Sequence, residues 1–383
     1  MYKGVDRMSF RPGSVLTVSG DAYNRGVVHG STARELVHRA VAFYVRMWEQ
    51  NTGRGRSELL QRAGEFMPMV AAYDGQIMQE IEGIAAGADL SVNEVLLVNA
   101  RYELMMTTMF AGEQSPPMSG GECTSLAAAP QATSDGHTYV GQNWDHAVDV
   151  GQHSFLLEIL QDDRPNIVTH IEAGFVGHKG LNAEGLGLCA NAMASQHDQF
   201  APKVPVWVLA RGVLNAATID EAIEAVRRAD RAASINFTIG SDCGDVVALE
   251  LTPIDVERVE PENGRIAHAN VFCGLDPSRG VTDELAVRFP VFCTRAARVR
   301  ELIDRHPIDT DALMEILQDH GNRPESICRH HDDQPPEAPD ALRLETLSSV
   351  IMDLTERSLY ITDGPPCGTP YQKHNFASLQ KTR

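Results

Sequence analysis

No apolar run in the 383-residue chain approaches the ~20 residues that a membrane-spanning helix needs, so no span is expected. Residues 1 to 15, MYKGVDRMSFRPGSV, lack the apolar core of a secretory leader, and the expected address is the cytoplasm. Positive charge is scarce: 33 Lys and Arg against 52 Asp and Glu give a formal net charge of -19. That balance repels phosphate backbones and anionic lipid, which sets aside nucleic-acid and membrane-surface partners. Neither G-x-G-x-x-G nor G-x-x-x-x-G-K-[ST] occurs, so no nucleotide cofactor is expected. The seven cysteines are scattered, with no C-x-x-C pair, which suits reduced thiols better than a disulfide framework or a zinc ribbon. Aromatics are only 6% of the residues, and no aromatic box can be read as a pocket. No internal repeat is visible. What remains, 43% apolar and 22% charged, is the composition of a soluble globular protein with a sizeable core.

The first third reads as helical. Leu36, Ala40, Tyr44 and Met47 recur at helix spacing, as do Ile77, Ile81 and Ile84, with Gly87 as a stop signal. Ser91 and Glu94 form a capping box opening a helix through VNEVLLVNARYEL. The Gly, Pro and Ser in AGEQSPPMSGGE (111–122) mark a linker. Beyond it the pattern shifts to short strand-like runs, CTSLAAA, TYVGQNWD, SFLLEIL and NIVTHIEA, which predict an antiparallel meander. LNAEGLGLCA reads as a tight turn between two more strands. A helical pair over 206–229 follows, with Thr218 and Glu221 as a second capping box, then strands INFTIG, DVVALELT and RIAHAN. Residues 283–305 and 309–320 read as helical, and ETLSSVIMDL with RSLYITDG as a closing hairpin. This order argues for an α+β layered sandwich and against a doubly wound parallel sheet.

Cys123 opens the first strand-like run, directly after SGGE. A thiol must become a thiolate to attack a carbonyl, and an internal cysteine borrows a histidine for that step. An N-terminal cysteine carries its own base, because a free α-amine titrates near ~7.7 to 8.0. Gly120 and Gly121 tolerate the strained backbone in which a side-chain sulfur attacks the preceding carbonyl.

CTSLAAAP followed by GQNWD (141–145) resembles the nucleophile segment of the acyl-coenzyme A:6-aminopenicillanic acid acyltransferase family, N-terminal nucleophile hydrolases related to the choloylglycine hydrolases. EIEGIAAGADLSVNEVLLVNARYEL (80–104), PESICRHH and SSVIMDLTERSLYITDGPPC extend the resemblance over most of the chain. It implies a four-layer αββα sandwich, and self-cleavage at Glu122–Cys123 into an α fragment, 1–122, and a β fragment, 123–383, that stay together as one folded domain. It also implies a cysteine amidohydrolase or acyltransferase that works through a thioester acyl-enzyme on a small-molecule N-acyl amide or acyl-thioester. Cys123 matches the nucleophile, Asp145 the acidic residue holding the amine or thiol, and Asn270 the oxyanion-hole asparagine. Arg329 in SICRHH is the preferred match to the catalytic-site arginine, with Arg295 in FCTRAARVREL competing. The sequence departs from the family at Glu122, where glycine is expected, and this bears on the rate of cleavage. Gln142, Asn143 and Trp144 read as packing and hydrogen-bonding groups.

Two other readings start from the same residues. A non-catalytic small-molecule-binding protein on this fold would leave Cys123 unprocessed. A metal-dependent hydrolase would use CRHHDD (328–333), but adjacent residues rarely converge on one ion and no second Cys/His cluster is evident in the sequence, so no metal is expected. A papain-like site would need a helix starting at Cys123, and CTSLAAAP reads as strand. Homo-oligomerisation is left open.

Overall fold

The computed structural model describes residues 13–110, 122–274, 280–305, 307–333 and 344–380. The linker up to residue 121, with Gly120 and Gly121, lies outside them. In chain order the strands are β1 (Val15–Val18), β2 (Glu122–Ala128), β3 (Tyr139–Ala147), β4 (Ser154–Ile159), β5 (Ile167–Glu172), β6 (Lys179–Asn182), β7 (Leu186–Ala192), β8 (Ile235–Ser241), β9 (Val246–Leu251), β10 (Val256–Val259), β11 (Arg265–His268), β12 (Leu344–Asp353), β13 (Ser358–Ile361) and β14 (Gln372–Asn375). The helices are α1 (Ala22–Thr32), α2 (Arg34–Thr52), α3 (Arg56–Gly64), α4 (Met67–Tyr73), α5 (Gly75–Ala88), α6 (Val92–Asn99), α7 (Arg101–Phe110), α8 (Val148–Gly151), α9 (Val206–Leu214), α10 (Ile219–Arg227), α11 (Glu284–Arg288), α12 (Val291–Ile303) and α13 (Thr310–Leu317).

The strands form an eight-stranded sheet, order β1-β4-β5-β6-β7-β8-β9-β10, and a six-stranded sheet, order β11-β2-β3-β12-β13-β14. The three largest apolar clusters among the described residues lie between four layers. Ile84, Leu96 and Val208 from the helices pack on Phe155, Leu188 and Phe237 of the larger sheet. Between the sheets, Leu156, Val168 and Ala248 meet Ala127, Val140 and Met352. On the far side, Val299, Leu313 and Leu317 of α12 and α13 cover Leu126, Ala128 and Ile351. The fold is therefore an αββα sandwich of α+β class.

Three local expectations change. The meander is not one sheet: α8 carries the chain from β3 in one sheet to β4 in the other, which the alternation of either strand alone does not encode. VNEVLLVNARYEL is two helices, parted at Ala100, although the Ser91 and Glu94 capping box is present. Gly87 does not stop α5, which runs on to Asp89 in the left-handed region at φ 59°. The sequence reading also left out β1, β10 and β14; β1 pairs parallel to β4, away from any hairpin signal.

Gly87 has another use. α1 and α5 cross backbone to backbone through Gly26, Gly30, Gly83 and Gly87, where an added Cβ would lie 2.1 to 2.3 Å from a carbonyl oxygen of the facing helix. Only hydrogen fits there, so the helical spacing of these glycines is a packing requirement. Gly30→Ala, whose Cβ would sit 2.1 Å from the Ile84 carbonyl oxygen, should destabilise by at least about 2 kcal/mol. Gly75→Ala, with nothing within 4 Å, should be neutral or slightly stabilising. Denaturant midpoints of the two variants check this; equal midpoints would contradict it.

Candidate active site

Successive strand side chains point to opposite faces, and β2 applies that rule at the centre of the molecule. Leu126 and Ala128 face the α12 and α13 layer. Ala127 faces the other sheet, and so does Ser125, which donates to Asn191 at 2.6 Å. Cys123, two residues before Ser125, therefore points its thiol between the sheets, and it is 4% exposed. Its partner in register is Trp144, and the two pack in one small cluster with Ala147, Val150 and Leu347.

Asp145 lies opposite Glu122 in the same register, so the carboxylate falls on the other face, beside the Glu122–Cys123 peptide rather than alongside the sulfur. Its Oδ1 accepts from Thr346 Oγ1 at 2.7 Å, and Arg295 Nη1 is 3.8 Å from Oδ2. Oδ2 is buried and accepts no hydrogen bond among the described residues. Burial pushes the Asp145 carboxyl up to about 7, against the pull of the Arg295 guanidinium and the Thr346 hydroxyl.

Asn270 comes two residues after β11. Because His268 stands opposite Ser125, continuing that register sets Asn270 beside Cys123. The Cys123 N–H donates to Asn270 Oδ1 at 3.0 Å, Arg295 Nη2 donates to the same oxygen at 2.5 Å, and Asn270 Nδ2 donates to the Ala192 carbonyl at 2.9 Å. Of the two candidate arginines, Arg295 on α12 thus touches both Asn270 and Asp145. Arg329 is also buried; its side chain meets Glu325 at 2.8 Å, and its backbone N–H donates to Thr346 Oγ1, one hydrogen bond from Asp145. Gln142 clasps the two sheets by bonding both the N–H and the carbonyl of Ala190, and Asn143 donates to the Leu317 and Ile327 carbonyls.

The sequence reading missed Lys179. It is the first residue of β6, 1% exposed, with Nζ 3.9 Å from the Trp144 ring centroid and 3.3 Å from His178 Nδ1. The available signal was a lysine inside GHKGLN, a run otherwise suited to a strand buried on both faces. Burial pushes the Cys123 thiol up to about 11, the nearby Asp145 charge adding to this and Lys179 opposing it. Burial lowers Lys179 to about 7, with Cys123 the leading opposing influence. In the uncut chain at neutral pH the sulfur therefore holds its proton.

Of the CRHHDD run, Cys328 and His330 converge with His320 and Cys367 from elsewhere, a cluster that linear spacing did not reveal. His331 turns away to Glu345 at 2.5 Å and Asp332 at 2.9 Å.

Lys179 makes a testable demand on stability. Below about pH 7 it is charged both folded and unfolded, and folding carries the full cost of burying the charge. Between there and its ordinary 10.5 the unfolded chain holds a proton that the folded chain lacks, so stability rises with pH. Lys179→Met should be more stable than the parent by on the order of 3–5 kcal/mol near pH 6, and the gain should fade toward pH 10. Denaturation at both pH values checks it; a pH-independent difference would contradict the assignment.

Residues 132–366 match the family model of acyl-coenzyme A:6-aminopenicillanic acid acyl-transferase. That segment holds Asp145, Asn270, Arg295 and Arg329 and begins nine residues after Cys123. The chain is 26% identical over 352 residues to the acyl-coenzyme A:6-aminopenicillanic-acid-acyltransferase 40 kDa form of Emericella nidulans, covering 92% of each. Among solved structures, penicillin V acylase from Agrobacterium tumefaciens aligns with a TM-score of 0.40 and 12% identity, over 68% of this chain and 88% of that one. A variant of conjugated bile acid hydrolase from Clostridium perfringens aligns at 0.43 and 14%, over 68% and 99%. Among the described residues no helix is long and apolar enough to cross a membrane. By the reach of the family match, this chain belongs to the acyl-coenzyme A:6-aminopenicillanic acid acyl-transferase family.

Proposed function

We propose that the chain is a self-processing amidohydrolase or acyltransferase in which Cys123, freed as a new N-terminus, is the nucleophile. The observation that carries this reading is Asp145 Oδ2, a buried carboxylate oxygen with no hydrogen bond among the described residues, held across the strand pair from the Glu122–Cys123 link. An ammonium liberated at Cys123 would be the donor this oxygen lacks, and its charge would draw the Asp145 carboxyl back down from about 7.

Cleavage begins with the Cys123 sulfur attacking the Glu122 carbonyl carbon. The C–N bond breaks, the thiol proton passes to the released nitrogen, and a thioester joins Glu122 to sulfur. Water hydrolyses that thioester, leaving a carboxylate on Glu122 and a free thiol beside a free amine on Cys123, with one proton released to the solvent. The fragments are 1–122 and 123–383. The amine supplies the base that the uncut site lacks: with the thiol held up at about 11, an internal Cys123 is a poor nucleophile at neutral pH.

In turnover the amine takes the thiol proton while sulfur attacks the carbonyl carbon of a small-molecule N-acyl amide or acyl-thioester. The proton leaves with the departing amine or thiol, and the acyl group stays on sulfur as a thioester. Water regenerates the thiol in a hydrolase; an amine does so in an acyltransferase. Asn270 Nδ2 stabilises the tetrahedral oxyanion once released from the Ala192 carbonyl, a contribution of ~3 kcal/mol. Arg295 holds Asn270 and Asp145 in place, and Arg329 supports Asp145 through Thr346. Hydrolysis of an amide is the favoured reaction, since water is always present.

Intact-mass measurement should find two fragments meeting at Cys123. Cys123→Ala should give one full-length species and lower turnover by more than roughly 1,000-fold. Incubation with a panel of N-acyl amides, followed by mass spectrometry of the 123–383 fragment, should reveal an adduct whose mass names the acyl group. Full activity from uncut protein would overturn the reading, and an uncut protein that binds but never turns over substrate would favour the receptor alternative.

A further inference from the structure

We propose that His320, Cys328, His330 and Cys367 form a structural zinc site. His320 follows α13, Cys328 and His330 flank Arg329 in an irregular stretch, and Cys367 lies on the turn after β13. Their four donor atoms all lie within 4.8 Å of one another. His330 Nε2 is the hub, at 3.0 Å from His320 Nε2, 3.3 Å from Cys367 Sγ and 3.7 Å from Cys328 Sγ.

A neutral imidazole nitrogen has one proton to give or one lone pair to offer, so it cannot satisfy three such neighbours at once. A cation at their centre would satisfy all four groups together. Tetrahedral zinc, with bonds of ~2.0–2.1 Å to nitrogen and ~2.3 Å to sulfur, spaces its donors roughly 3.3–3.8 Å apart. Two of the three hub distances, 3.3 and 3.7 Å, fall in that range, and the 3.0 Å between the two imidazole nitrogens is slightly shorter. Two thiolates would neutralise a dication, and two sulfurs with two imidazoles in tetrahedral array select zinc.

With four protein ligands no position is open for water or substrate, so the ion would be structural. It would staple the segment after α13 to the C-terminal turn and fix the loop that presents Arg329. The backbone is already shaped for this: the Cys328 N–H donates to the Asp319 carbonyl at 3.0 Å, next to His320. The other convergence among the described residues, Glu250 with His268 and Cys273, differs in kind. There the Glu250 oxygens already accept from the Cys273 and Gly274 N–H groups and meet His268 at 2.9 Å.

The test uses the full chain purified under reducing conditions without chelator or nickel resin. Elemental analysis should find about one zinc per chain. Cobalt exchanged for zinc should give visible d–d bands and a near-ultraviolet thiolate charge-transfer band, and binding should release protons from the thiols. Cys367→Ser, which alters an exposed residue and should fold, must weaken zinc binding by more than the roughly 100-fold that loss of an outer partner costs. His320→Ala should do the same. Three results would overturn the proposal: protein from zinc-replete culture that neither carries zinc nor retains it after desalting, retention unchanged in Cys367→Ser, or a Cys328–Cys367 disulfide found by mass under those reducing conditions.

Discussion

One side-chain amide holds the candidate site together. Asn270 takes the Cys123 N–H and the Arg295 guanidinium on its oxygen and gives its own N–H to the Ala192 carbonyl. Through it the start of β2, the end of β7 in the opposite sheet and α12 meet at a single group. Each partner is buried, so none can be released to water cheaply; a buried polar group stripped of its bond costs about 1–3 kcal/mol. The position of Cys123 is therefore set by three layers of the sandwich at once, and the sheet register alone decides which face its sulfur uses.

Burial is the dominant electrostatic influence throughout the interior. The carboxyl of Asp145 rises to about 7 although Arg295 stands 3.8 Å away, while Lys179 falls to about 7 and the Cys123 thiol rises to about 11. Each of these shifts disfavours charge in a site whose proposed chemistry passes through charged species. On the proposed function, an uncut chain would be held inactive by its own dryness. By contrast Glu172 stays ionised, held well below the usual carboxylate range by Arg101 at 2.6 Å together with His153 and His146. The difference is partner geometry: Arg101 bonds Glu172 at 2.6 Å, whereas Arg295 stands 3.8 Å from Asp145.

How much of this could be read from residues alone varies with the kind of signal. A period of 3.6 located α2 and α5, since each buries one consistent face, while β2 and β3 were read as short strand-like runs bounded by turn signals. Capping chemistry located the starts of α6 and α10, because Ser91 and Thr218 satisfy local backbone groups whatever packs above them. The division into two sheets was illegible: β3 and β4 are both buried on both faces, so neither says which sheet it joins. β1 and β14 are only four residues long, too short for alternation to speak. At the site, Cys123, Asp145 and Asn270 came from a resemblance and are brought together here, while Lys179 and the His320 and Cys367 pairing depend on contacts between segments far apart in sequence. The motif favoured Arg329 over Arg295, and in the fold it is Arg295 that reaches Asn270 and Asp145 while Arg329 bonds Thr346 through its backbone.

The segments on either side of Cys123 are interlaced rather than abutting. β1 lies parallel against β4 as the outermost member of the eight-stranded sheet, and Tyr44 and Arg101 reach into that sheet to grip Glu172 at 2.5 and 2.6 Å. A nick ahead of Cys123 would thus double the number of chain ends without dividing the cooperative unit. The two polypeptides would melt as one, and neither would keep a complete hydrophobic interior if its companion were withdrawn.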